Sequence, residues 1–273
     1  MSVTVYLQRW LAQSGRAVQH VGVEWMRLLH LGAGILVLAL SPASYTASNR
    51  AILVRHMYVN TAPILLGFTI VCALATVVLT RIVVVTAHSY GLTQYALQLV
   101  IRVLVLELIP LTAALFVALR CTIPDGAELI AMHANGQFGN SPAGATDAMQ
   151  REVPPRVVAG LFAGTTLAAL SSVVALVVAY LTSYGFTLSG LANFTRLFGQ
   201  VFTPAVTLIF VLKIFLFCLT VSLIPMTSAL VGMRDDRGSR ASTVRTSAEM
   251  RGLVRMFTVI LLIEMLSLVG NYY

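Results

Sequence analysis

The sequence predicts an all-α integral membrane protein, with five transmembrane helices preceded by an N-terminal amphipathic interfacial helix and a short elbow or re-entrant segment. Three observations carry that expectation. Hydrophobic residues make up 58% of the 273-residue chain and charged residues 10%, with a mean hydropathy of +0.87, outside the range of ordinary soluble domains. A helix needs roughly 20 apolar residues to cross a bilayer core, and five stretches reach or approach that length, at about 57–81, 97–119, 157–181, 201–231 and 253–270. The basic residues are grouped between these stretches in a pattern that alternates from one connection to the next.

Residues 1–50 form the first region. Val3, Leu7, Trp10, Leu11, Val18, Val21, Trp25, Leu28 and Leu29 are interspersed with Arg9, Arg16 and Arg27, a pattern suited to a helix lying in the membrane interface. The run Leu31 to Leu40 is too short to span and ends at Ser41-Pro42, which fits an elbow. Residues 51–273 form the transmembrane region. Arginines concentrate in the N-terminal segment, in the 121–156 connection and in the 232–252 connection, whereas 86–96 and 182–200 contain only Arg196 and the tail Asn271-Tyr272-Tyr273 has none. Since Lys and Arg mark cytoplasmic loops, the N-terminus is expected in the cytoplasm and the C-terminus outside.

Several chemistries are disfavoured. Seventeen of the eighteen basic residues are arginine, and they lie between apolar runs, not along a stripe that would track a nucleic acid. Cys72, Cys121 and Cys218 are far apart, and five histidines are dispersed, so neither a disulfide framework nor a metal site is expected. No Walker A loop, nucleophile elbow, HExxH helix or dinucleotide fingerprint occurs. What remains is ionisable groups at membrane depth. Glu107 lies in an apolar run with Arg102 near its start, while Lys213 and Glu264 fall within the fourth and fifth stretches. Such groups carry an insertion penalty of about 2.5 to 3.5 kcal/mol for Asp, Lys or Arg, and normally face a bundle interior or a wet pathway. Arg102 and Glu107 are five residues apart, a poor spacing for pairing along an α-helix. Glu107 is therefore expected to meet another helix or a hydrated cavity, and transport is the default role.

The chain also resembles a known family. Leu106-Glu107-Leu108-Ile109-Pro110, Ala113-Ala114-Leu115, Ala118-Leu119-Arg120 and Ala127-Glu128-Leu129-Ile130-Ala131-Met132 are similar, with spacing kept, to the R-E-x-G-P, A-A-L, A-G-R and A-E-x-G-x-M motifs of the MlaE (YrbE) permeases. Val153-Pro154-Pro155-Arg156-Val157-Val158-Ala159-Gly160 looks like the family's x-x-P-R-x-x-A-G, with Asp147 where its V-D-P turn falls and Gln137 at the second residue of its E-Q. Weaker matches are Arg55-His56-Met57-Tyr58, Tyr90, Leu212-Lys213 with Phe217, and Ser239 to Thr246, so the likeness covers roughly residues 50–270. Departures are Leu106 in place of an arginine, Ile109 and Leu119 in place of glycines, and Gly136 in place of a glutamate. The Asn135 to Gly144 stretch is rich in Gly and Pro, which break helices, where the family has a helical coupling element.

The resemblance implies the membrane subunit of an ATP-driven ABC system that moves phospholipid between a bacterial inner membrane and an MCE-domain protein assembly. Two permease chains, identical or divergent, would work with a cytoplasmic ABC ATPase dimer, which binds the ATP and Mg; this chain itself would hold no cofactor and be no enzyme. Glu107, Tyr90, Lys213, Arg102 and Arg55 are the expected lipid-pathway residues. Arg120, Glu128, Gln137, Asp147 and Arg156 are expected at the cytoplasmic boundary, where a coupling loop of about 121–156 would meet the ATPase. Gly160 and Gly164 would allow close helix approach. Two rival readings are a divergent, non-coupling structural subunit and a proton-coupled secondary transporter.

Overall fold

The computed structural model describes residues 25–26, 30–38, 47–136, 142–235 and 241–272. The interfacial helix expected over the first 30 residues lies almost entirely outside them, as does Gln137. Among the described residues there is no strand. Residues 30–38 form helix α1, followed by α2 (Ala47–Ser89), α3 (Thr93–Val100), α4 (Ile109–Val117), α5 (Ile123–Ala134), α6 (Pro142–Tyr184), α7 (Leu191–Val201), α8 (Pro204–Asp235) and α9 (Ala241–Tyr272). Two π-helical segments, Ile101–Leu108 and Ala118–Thr122, join α3 to α4 and α4 to α5, so the chain from Thr93 to Ala134 is one continuous, repeatedly rewound rod.

Five stretches are long and apolar enough to cross a membrane: Leu53–Ser89, Tyr95–Met132, Glu152–Tyr184, Pro204–Val231 and Met250–Asn271. They coincide with the five expected from the sequence, each centred on the same apolar run. The first and fifth are peripheral, 22% buried in their apolar windows, and the second is central at 56%. Small side chains permit that central place: Ala113, Ala114 and Ala118 are fully buried and belong to one core cluster with Phe68 of α2, Leu167 of α6, Phe217 of α8 and Met256 of α9. Dispersion between close-packed surfaces is the main attraction available where lipid is as apolar as protein.

Among its described residues the 121–156 connection is helical apart from a turn at Asn135 and Gly136. Pro124 follows directly on the π turn Ala118–Thr122, and Pro142 begins α6, a position where proline's missing N–H costs nothing because the first turn has no acceptor for it. Within the Gly/Pro-rich stretch the chain turns at Asn135 and Gly136, the latter at φ 70°, and α6 begins at Pro142. Asp147 to Val153 is part of α6. Beside this end, α1 inserts Ile35 against Leu129, Val157 and Met226.

Candidate functional site

The intramembrane charges converge. Lys213 of α8 is 2% exposed; its Nζ donates to Glu107 Oε2 and, at 3.3 Å, to the carbonyl of Leu106. Glu264 Oε2 of α9 stands 2.8 Å from the same Nζ. Asn271 Nδ2, in the last turn of α9, donates to Glu107 Oε1 at 3.4 Å, and the Phe217 ring centroid lies 5.6 Å from Nζ, within cation–π range. The second, fourth and fifth spans are thus tied together by one ammonium. Lys213 is about 14 Å along the helix from Pro204, the first residue of the fourth span.

Local sequence creates the Leu106 acceptor. In an α-helix that carbonyl would receive the N–H of residue 110, and residue 110 is proline, which has none. The surrounding turns widen into the π segment 101–108, a rare conformation that recurs at functional sites. Proline therefore leaves an oxygen that the lysine takes, and the widened segment holds Glu107 toward α8 and α9.

A second polar centre lies toward the other end of the bundle. Arg156 of α6, 3% exposed, donates through Nη1 to the Asp125 carbonyl at 3.2 Å and to Glu128 Oε2 at 3.0 Å, and through Nη2 to Glu152 Oε2 at 3.4 Å and Met132 Sδ at 3.6 Å. Asn60 of α2 donates to Asp125 Oδ2 at 3.2 Å. One guanidinium thus fastens α6 to α5, and Asp125 fastens α5 to α2. Between the two centres α6 and α8 touch through glycine: a Cβ at Gly160 would lie 2.8 Å from Ser222 Oγ, and one at Gly164 2.6 Å from Cys218 Sγ.

Of the residues expected in the lipid pathway, Glu107 and Lys213 meet, and Arg102 lies half-buried on the π segment that carries Glu107. Tyr90 and Arg55 do not join them. Tyr90 is 76% exposed in the turn between α2 and α3; Arg55 is exposed at the start of the first span, one to two turns before Asn60 and hence at the Arg156 end. Of the boundary set, Arg156 and Glu128 pair, Arg120 is exposed, Asp147 falls within α6 without a described side chain, and Gln137 is outside the described residues.

Four participants escaped the sequence reading or were left unassigned by it. Glu264 was visible as an intramembrane charge without a partner. Asn271, expected in an external tail, is instead in the last turn of α9. Asn60 and Asp125 gave only the weak signal of polar residues bordering apolar runs.

The motifs that are separate in sequence are therefore joined in pairs: the Glu107 motif meets the Lys213–Phe217 motif, and the Glu128 motif meets the Arg156 motif. A family model described as Permease MlaE matches residues 53–269. The chain belongs to the MlaE permease family. No curated protein matches it at a significant level. Both polar centres lie inside the family region apart from Asn271, two residues beyond its end, and the MlaE assignment makes this chain a multi-pass transporter membrane subunit of the ABC type.

Proposed function

We propose that this chain is the permease subunit of an ATP-driven transporter that moves phospholipid between a bacterial inner membrane and an MCE-domain protein on its outer side, paired with a second permease chain. The observation that supports it most directly is the Glu107–Lys213–Glu264 cluster at membrane depth within an MlaE-family bundle. A phospholipid has a charged head and apolar tails, so its path needs a few polar groups among many aliphatic ones. Glu107, Lys213 and Arg102 would face the head, and Tyr90 and Arg55 would lie toward the two ends of the route.

ATP and Mg belong to a partner ATPase dimer in this reading. The Arg156 centre, with Glu128 and Asp125, gives the cytoplasmic end of the bundle the stiffness to pass on a movement, and Arg120, Gln137 and Asp147 lie along the contact. The N-terminus is then cytoplasmic and the C-terminus periplasmic. Affinity purification from the native membrane in mild detergent, with mass spectrometry of proteins and lipids, tests this. Co-recovery of an ABC ATPase, an MCE-domain protein and phospholipid is expected; recovery without an ATPase would sink it. One observation favours a second reading, a divergent subunit that does not couple: the chain turns at Gly136 where the family has helix. ATP hydrolysis by the recovered complex that responds to Arg156→Ala separates the two.

A further inference from the structure

Helix α9 brings three polar side chains to one face. Glu264, Ser267 and Asn271 are spaced i, i+3 and i+7, which stacks them along one line of an α-helix. That line points inward: Glu264 and Asn271 are half-buried and Ser267 is 7% exposed. Three oxygens on it, Glu264 Oε2, Ser267 Oγ and Asn271 Oδ1, are buried and accept no hydrogen bond from the described residues.

The geometry explains why each is left over. Asn271 spends its Nδ2 on Glu107, and turning the amide over would set its oxygen against that carboxylate. Lys213 Nζ directs hydrogen bonds to Leu106 and Glu107, and though 2.8 Å from Glu264 Oε2 it makes an ion pair there without the angle of a hydrogen bond. Ser267 has the ordinary escape of donating to a carbonyl one turn back, which Thr258 on the same helix takes at 2.8 Å to Val254; Ser267 does not take it. Acceptors without donors at membrane depth are costly and rare.

We propose that this face of α9 binds the primary ammonium of a phospholipid headgroup. The inference rests on the lipid-permease reading above and gives it a headgroup preference. A primary ammonium carries N–H donors and a positive charge, the two things that a line of buried acceptors with a carboxylate on it can take up. A quaternary ammonium has the charge and no N–H, and a glycerol headgroup has hydroxyl donors and no positive charge. Lys213 is shared by Glu107 and Glu264, and one ammonium between two carboxylates leaves one negative charge for an incoming cation. Glu107 and Glu264 keep 12% and 16% side-chain exposure, so the face is reached from outside the packed core.

The test is native mass spectrometry of the full chain, purified with its partners in mild detergent and titrated with equimolar phosphatidylethanolamine and phosphatidylcholine of identical acyl chains. Wild type is expected to retain the ethanolamine lipid by roughly tenfold, the worth of one or two charge-assisted hydrogen bonds. Glu264→Gln is expected to bring the ratio near one, and Ser267→Ala, which removes a single hydroxyl and leaves packing intact, to reduce it about threefold. Recovery of both variants with their partners in wild-type amounts reports that they fold. Equal retention of both lipids by wild type, or a preference that survives both substitutions, would overturn the ammonium site and leave the permease reading standing. Failure to retain any phospholipid would instead overturn the permease reading. Displacement of the bound lipid by free ethanolamine would assign the face to a soluble amine and overturn the lipid assignment.

Discussion

Lys213 and Arg156 are both buried cations, 2% and 3% exposed, yet their counter-ions sit in different media. The carboxylates around Lys213 have side-chain exposures of 12% and 16%; those around Arg156 have 28% and 60%. The lysine is a point charge shared by two nearly buried acids and a backbone oxygen. The arginine is a planar fork whose far side reaches the surface of the bundle. Its five donors in fixed geometry suit a joint that holds several elements at once, and here it spans α5 and α6. The lysine's single rotatable ammonium suits a place where partners exchange. On the proposed function, the first centre belongs to the pathway and the second to the frame around it.

The sharpest way to break that assignment is to remove the lysine. Lys213→Ala leaves Glu107 and Glu264 facing each other in an apolar setting with their shared ammonium gone, and loss of one partner of a buried pair typically costs about 3–5 kcal/mol. Lipid transport by the reconstituted complex is expected to fall below detection and thermal stability to drop. Lys213→Met with Glu107→Gln and Glu264→Gln, which removes the charges together, should recover much of the stability without the transport. If the triple variant also transports, the cluster is interhelical glue and the comparison fails.

Arg156→Lys comes next. It keeps the charge and loses the fork, so it should lose the simultaneous contacts to Asp125, Glu128 and Glu152, at about 1–3 kcal/mol for hydrogen bonds involving a charged group. The expected signature is a fall in lipid-stimulated ATP hydrolysis with bound lipid unchanged, measured on the same preparation. A matching loss of bound lipid would place Arg156 in the pathway instead. Between the two centres, Gly164→Ala puts a methyl 2.6 Å from Cys218 Sγ, and overpacking of a tight contact costs about 1–3 kcal/mol. Cys218→Ala in the same chain should relieve part of that loss, as a thermal shift would show.

Much of this frame could be read from the sequence, and the reasons are physical. A span announces itself by apolar length, so the five helices were legible, and an ion in such a run announces itself by its cost, so Glu107, Lys213 and Glu264 stood out singly. Their convergence was not legible, because which faces of three helices meet is set by packing over the whole bundle. Pro110 marked the freed Leu106 carbonyl but not the lysine that would claim it. In the Gly/Pro-rich stretch near 135–144, Pro142 begins α6, since a proline can start a helix as readily as it can stop one. Asn271 was lost for a simpler reason: a polar residue near the C-terminus reads as tail until a partner is seen.

The smallest expected effect is also the one that most sharpens the contrast. Glu128 is 60% exposed and 3.0 Å from Arg156 Nη1, so Glu128→Gln should cost no more than about 1 kcal/mol, as exposed pairs do. Its cost should shrink as salt rises from low ionic strength to 1 M, where the screening length falls to about 3 Å. Glu264→Gln removes a carboxylate from Lys213 at a depth where salt does not enter, so its effect on thermal stability should be the same at both salt concentrations. A salt-sensitive Glu264 would mean that water and ions reach the lysine cluster freely, and the distinction between a sealed pathway site and a surface-bordered joint would then have to be drawn elsewhere.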